Sequence, residues 1–168
     1  MKSGLTIRSD NYADVLDALN KLSGTDVLVG IPAGPPRDDA PLSNAELGYL
    51  QSTGATVEID GETVTLPPRP FLDMGIEDSR DKTTERLKLA AQSALEGKAD
   101  VASMHLEAAG QIALDASKAV IEAGDRLTPL SEKTIKKRRE MKPPIPGDKP
   151  LRARGFLFRA IQYVVRKK

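Results

Sequence analysis

A chain of 168 residues is the size of one domain with its own core; lacking cysteine, it has no disulfide or thiol chemistry, and its single histidine argues against a histidine-based metal site. The net charge of +1 hides a division: residues 132–168 hold 13 Lys or Arg against 3 Asp or Glu, a net of +10, leaving 12 basic and 21 acidic residues, a net of −9, before them. A basic tail on an acidic body points to an anionic partner or to a like molecule met head to tail.

No apolar run approaches the roughly 18 residues of a membrane span, and the start, Met1 to Leu5, lacks the apolar region of a signal peptide. The expectation is a soluble protein made in the cytoplasm. In chain order, Leu5-Thr6-Ile7-Arg8 alternates like a short strand. Asp10 is placed to cap a helix with the apolar stripe Tyr12, Val15, Leu16, Leu19 and Leu22, closed by Gly24. Asp26 to Ile31 reads as a buried strand in the same sheet as the first. Prolines 32, 35, 36 and 41 make the next stretch a loop, and its glycine belongs to no phosphate-binding pattern. Ser43 with Glu46 forms a capping box for a short helix ending at Gly54. Val57 and Ile59, the turn signal Asp60-Gly61, then Val64 and Leu66 predict a hairpin.

The hairpin runs into Leu66-Pro67-Pro68-Arg69-Pro70-Phe71-Leu72. Three prolines there exclude a helix interior or a central strand, and each biases the residue before it towards an extended conformation. The expectation is a stiff anchoring arm, with Pro70 as the first residue of a helix and Phe71 and Leu72 entering the core. Arg69, beside rigid prolines, is expected to pair with a carboxylate of its own chain or of a neighbour.

A helix over residues 76–97 follows, charged and exposed in its first half. Asp100 should cap another, closed by Gly124, with Val101, Met104, His105, Ala108, Ile112, Ala116 and Val120 on one face. His105 reads as a packing residue, since no catalytic partner motif accompanies it. Thr128 should cap a third helix with Pro129 at its first position. It carries Lys133, Lys136, Lys137, Arg138 and Arg139, with Lys142 just beyond, and up to Glu140 only Leu130 and Ile135 as apolar residues besides Pro129, so it should face solvent. Residues 143–150 are a proline-rich breaker loop, 151–160 a short helix, and 161–166 a last strand for this sheet or a neighbour's. The fold class expected is α+β: a small mixed sheet of four to five strands with long helices on one side. It divides into a core domain, 1–128, and a basic C-terminal extension, 129–168, of which residues 151–168 should be dispensable for folding of the body.

Three stretches resemble the neck and tail-completion (virion morphogenesis) proteins of tailed bacteriophages. The first is Val29-Gly30-Ile31-Pro32-Ala33-Gly34 followed by Asn44-Ala45-Glu46-Leu47-Gly48-Tyr49-Leu50. The second is the proline arm, similar to the family's Ile-Pro-x-Arg-Pro-Phe. The third is Leu130-Ser131-Glu132-Lys133-Thr134-Ile135, then Lys149-Pro150-Leu151 and Gly155-x-Leu157-x-x-Ala160-Ile161-x-Tyr163. Where the family has Asp-Thr/Ser-Gly this chain has Ala153-Arg154-Gly155, which removes a helix cap and adds charge. The resemblance covers the chain from about residue 27 onward. It implies a structural virion protein of the head-to-tail joint, a homomeric ring of about 6 or 12 subunits between the head connector and the tail, without enzymatic activity, cofactor or metal. Its partners would be copies of itself, neighbouring connector and tail proteins, and packaged DNA, with no membrane. Lys133, Lys136, Lys137, Arg138, Arg139, Lys142, Arg152, Arg154, Arg159 and Arg166 would face a neighbour or DNA.

Read without the resemblance, the residues point the same way on chemistry. Asp38-Asp39 is the one adjacent carboxylate pair in a loop, with no His, Cys or further acid at ligand spacing, and the serines have no base. The competing reading is a nucleic-acid-binding protein using residues 133–142, although no aromatics interleave with its cations and no DNA-binding motif is present.

Overall fold

A computed structural model describes residues 12–38, 40–59 and 61–167. The strand expected at Leu5 to Arg8, the cap at Asp10, and Asp39 and Asp60 lie outside the described residues. The order of elements is α1 (Tyr12–Ser23), β1 (Thr25–Gly30), α2 (Asn44–Thr53), β2 (Ala55–Ile59), β3 (Glu62–Leu66), α3 (Phe71–Leu95), α4 (Ala99–Ala123), α5 (Glu132–Glu140), α6 (Phe156–Ala160) and β4 (Gln162–Lys167).

The mixed α and β character is as expected, but the single sheet is not: the four described strands form two separate antiparallel pairs, β1–β4 and β2–β3. The cause lies in what flanks the hairpin. The strand β3 runs straight into Pro67 and Pro68, and beyond their own pairing β2 and β3 have no substantial packing on another element. The partner of β1 comes instead from the far end of the chain, in register from Thr25↔Lys167 to Gly30↔Gln162.

The centre of the fold is the α3–α4 hairpin, two helices of 25 residues each, about 37 Å long at 1.5 Å per residue. At one close approach between them, a Cβ on Gly75 would lie 2.3 Å from Ser117 Cα, so only glycine fits. Ser117 is fully buried and its hydroxyl donates to Ala113 O at 2.9 Å. On another side α4 receives β4, where Gly110 leaves room for the ring of Tyr163. The buried face is therefore Ala102, Ala109, Gly110, Ala113, Leu114, Ser117, Val120 and Ile121. It differs from the face expected from the larger side chains: Val101 and Met104 are 39 % and 70 % exposed. Small residues decide the face here because two neighbours must approach the helix closely.

The main cluster joins Phe71, Leu114, Val120, Ile121, Leu127, Leu157 and Ile161. Two of these seven come from the expected extension, and β4 supplies the partner of β1, so packing does not divide at residue 128. The helix expected over 151–160 is confined to α6, while the helix expected to open at Pro70 runs continuously into the one read over 76–97 as α3, with Pro70 as its N-cap and Phe71 its first residue. The Ser43–Glu46 capping box forms as expected, with Ser43 N donating to Glu46 Oε2 at 2.8 Å. No described helix is long and apolar enough to cross a membrane.

Candidate functional site

The proline arm is a junction of three segments. Phe71 is fully buried, Leu72 packs against the main cluster half-buried, and Arg69 is 5 % exposed. The Arg69 guanidinium donates to Thr128 O at 2.7 Å through Nε, to Gln51 Oε1 at 3.1 Å through Nη1 and to Pro129 O at 3.1 Å through Nη2. Its backbone N–H donates to Gln51 O at 2.8 Å, and the Thr128 hydroxyl donates back to Pro68 O at 3.2 Å. The expected carboxylate partner is thus replaced by two carbonyls and an amide. This also explains why Thr128 and Pro129 do not open α5. Their carbonyls are engaged by Arg69, and the cap falls to Ser131, whose hydroxyl accepts from Thr134 N at 3.2 Å.

Arg138, expected at a neighbour- or DNA-facing surface, is buried at 8 % exposure. Its Nη1 donates to Lys149 O at 3.0 Å while its own carbonyl accepts from Ile145 N at 2.9 Å, which folds the proline loop back onto α5. Burial pushes the Arg138 guanidinium below the usual arginine range, and burial followed by the charge of Arg138 does the same to Arg69. Among the described residues neither meets a carboxylate.

The other basic candidates are exposed. Lys133, Lys136, Lys137 and Arg139 lie on α5, with Lys142 just after it. Arg152 reaches Glu122 Oε1 at 3.4 Å, and Lys149 Nζ donates to Glu122 O at 2.8 Å, covering the C-terminal end of α4. Arg159 donates to Arg154 O at 3.1 Å and lies 5.3 Å from the centre of the Phe156 ring, with Arg37 at 4.4 Å from the same ring. Arg166 sits opposite Asp26 on the outer face of the β1–β4 ribbon, beside the exposed pair Leu28 and Val164. The ten cations thus do not form one patch: nine are exposed on α5, around α6 and on β4, and Arg138 is internal.

A cleft of about 570 Å³ lies between the proline loop after β1 and α6, lined in part by Pro35, Arg37, Asn44, Arg154 and Phe156. Asn44 Oδ1 is buried there without a hydrogen-bond partner. Asp38 is the one described acid in the lining, and no nucleophile with a base accompanies it. Among the described residues no three His, Cys, Asp or Glu side chains are grouped to hold a metal.

The residues missed in sequence are Gly48, Gly75 and Gly110. Each marks a close approach, and a glycine amid helical periodicity is the one signal that would have found them. A Cβ on Gly48 would meet Ile31 Cδ1 at 2.6 Å and Leu157 Cδ1 at 3.4 Å. No family model, curated protein or solved structure matches the chain.

Proposed function

We propose that this chain is a structural protein of the bacteriophage head-to-tail joint, one subunit of a homomeric ring between the head connector and the tail. The observation that carries the reading is the convergence of the three family-like stretches. Ile31 of the first and Leu157 of the third meet at Gly48, and Arg69 of the second bonds Gln51 of α2 and the carbonyls of Thr128 and Pro129 just before the third. Motifs far apart in sequence serve one piece of architecture. The charge division supports association of like subunits, since an acidic body and a basic tail are complementary head to tail. The test is the particle that forms without this protein. Filled heads beside unattached tails are expected; intact, infectious particles would refute the role.

A second reading, binding of nucleic acid, is favoured by the four exposed cations of α5. A salt titration with short duplex DNA separates the two. Strong binding that falls steeply with salt supports the second, because each phosphate contact releases counterions.

A further inference from the structure

The β2–β3 hairpin is an arm without a seat. Its strands pair from Ala55↔Leu66 to Ile59↔Glu62, each of five residues, a reach of about 17 Å at 3.4 Å per residue. Neither strand is covered to any substantial extent by another helix or strand, the chain's own α5 included. None of its described side chains is buried: Ala55, Val57, Val64 and Leu66 line one half-exposed face, and Thr56, Glu58, Thr63 and Thr65 the exposed other. A lone two-stranded hairpin is at best marginally stable in water. The root is nonetheless rigid. Gly54, at φ +75°, brings its Cα so close that a Cβ would stand 2.8 Å from Leu66 O and 3.0 Å from Pro68 N, and the prolines follow at once. The fold therefore fixes the direction of a ribbon on which, among the described residues, no other helix or strand packs substantially.

Charge identifies what it meets. Residues 55–66 carry Glu58, Asp60 and Glu62 and no Lys or Arg. Like charge disfavours DNA as the partner of such an arm. Among the described residues α5 carries four exposed cations, Lys133, Lys136, Lys137 and Arg139, between Glu132 and Glu140.

We propose that the β2–β3 hairpin of one subunit docks on the α5 surface of a second copy of this chain, laying its exposed Thr56, Glu58, Thr63 and Thr65 face against α5 with Glu58 among the α5 cations. The contact is heterologous and closes a ring if the rotation allows. It rests on the homomeric reading above and gives that reading its interface.

The chain has no cysteine, so single cysteines report contacts cleanly. Full-length Thr63→Cys protein is mixed with full-length Lys137→Cys protein at an ionic strength of about 0.01 M, where exposed charges are screened least, and oxidised gently. A disulfide-linked pair containing one of each is expected, formed faster than with the control Gln111→Cys and lost at high salt. Glu58→Lys should weaken association about tenfold, and Lys137→Glu in the partner should restore it. Assemblies in the ultracentrifuge without preferential Thr63→Cys to Lys137→Cys linkage would overturn the arm contact and leave the ring reading standing. A chain monomeric at every concentration would overturn both. Linkage of the Thr63→Cys variant to another virion protein would overturn this proposal in favour of a hetero-partner.

Discussion

Phe71 and Arg69 show how one short stretch does two kinds of work. Phe71 is fully buried in the main cluster, so Phe71→Ala leaves a cavity and should cost about 3–5 kcal/mol; an unchanged thermal melt would contradict this. Arg69 holds three acceptors that have few alternatives, and Arg69→Ala should cost about 3 kcal/mol and loosen the residues before α5, measurable as faster amide exchange around Thr128. Gly75 is as constrained as either: Gly75→Ala drives a methyl into the Ser117 backbone, and overpacking of this kind costs about 1–3 kcal/mol. Exposed charge acts more weakly. Arg126 donates hydrogen bonds to Asp78, tying α3 to the turn after α4, and these hold the Asp78 carboxyl below the ordinary aspartate range against a smaller opposing effect of burial. A lowered folded-state pKa contributes stability that is complete above the unfolded value of about 3.9 and fades as pH falls through the folded one. Melts taken downward from about pH 6 should therefore weaken less below about pH 4 for Asp78→Asn than for the parent. Equal slopes would remove Asp78 from the acid response.

Among the elements, those with local signals were readable, the last strand included, while the choice of distant partner was left open or misread. The capping box opening α2, the αL glycine closing α4 and the hairpin before the proline arm each depend on a few neighbouring residues. Strand pairing depends on residues 132 to 142 positions apart, and β1 takes β4 as its described partner where the sequence suggested a larger sheet. The inward turn of Arg138 was equally hidden, since a single cation on a short polar helix carries no periodicity. That residue now bears on how α5 behaves. Nine residues long and held chiefly by Arg138, Ile135 and the returning loop, α5 should open far more readily than the 25-residue helices. Brief trypsin digestion should cut first after Lys136, Lys137 or Arg139, while Lys142 and Lys149 resist because proline follows each. First cuts inside α4 would contradict this ordering.

For the molecule as a whole, the decisive point is where the C-terminal segment goes. The charge profile and the proline loop suggested a detachable tail, and its basic residues do lie mostly at the surface. Its apolar residues do not. Leu157 and Ile161 belong to the main cluster, Tyr163 fills the space above Gly110, and β4 supplies every backbone partner described for β1. Removing Leu157 and Ile161 alone should cost about 2–5 kcal/mol each, against a total stability of about 5–15 kcal/mol for a domain of ordinary size. The strand pairing and the contact with α4 would be lost as well. Deletion of residues 151–168 should therefore leave a chain with no cooperative thermal transition, and any assembly defect it caused would reflect unfolding. A truncated chain that melts cooperatively at the parent temperature would overturn this account of the core. Point changes at exposed α5 positions such as Lys136→Glu leave the core contacts in place, so they are the variants in which a loss of head-to-tail joining reports on contact between subunits.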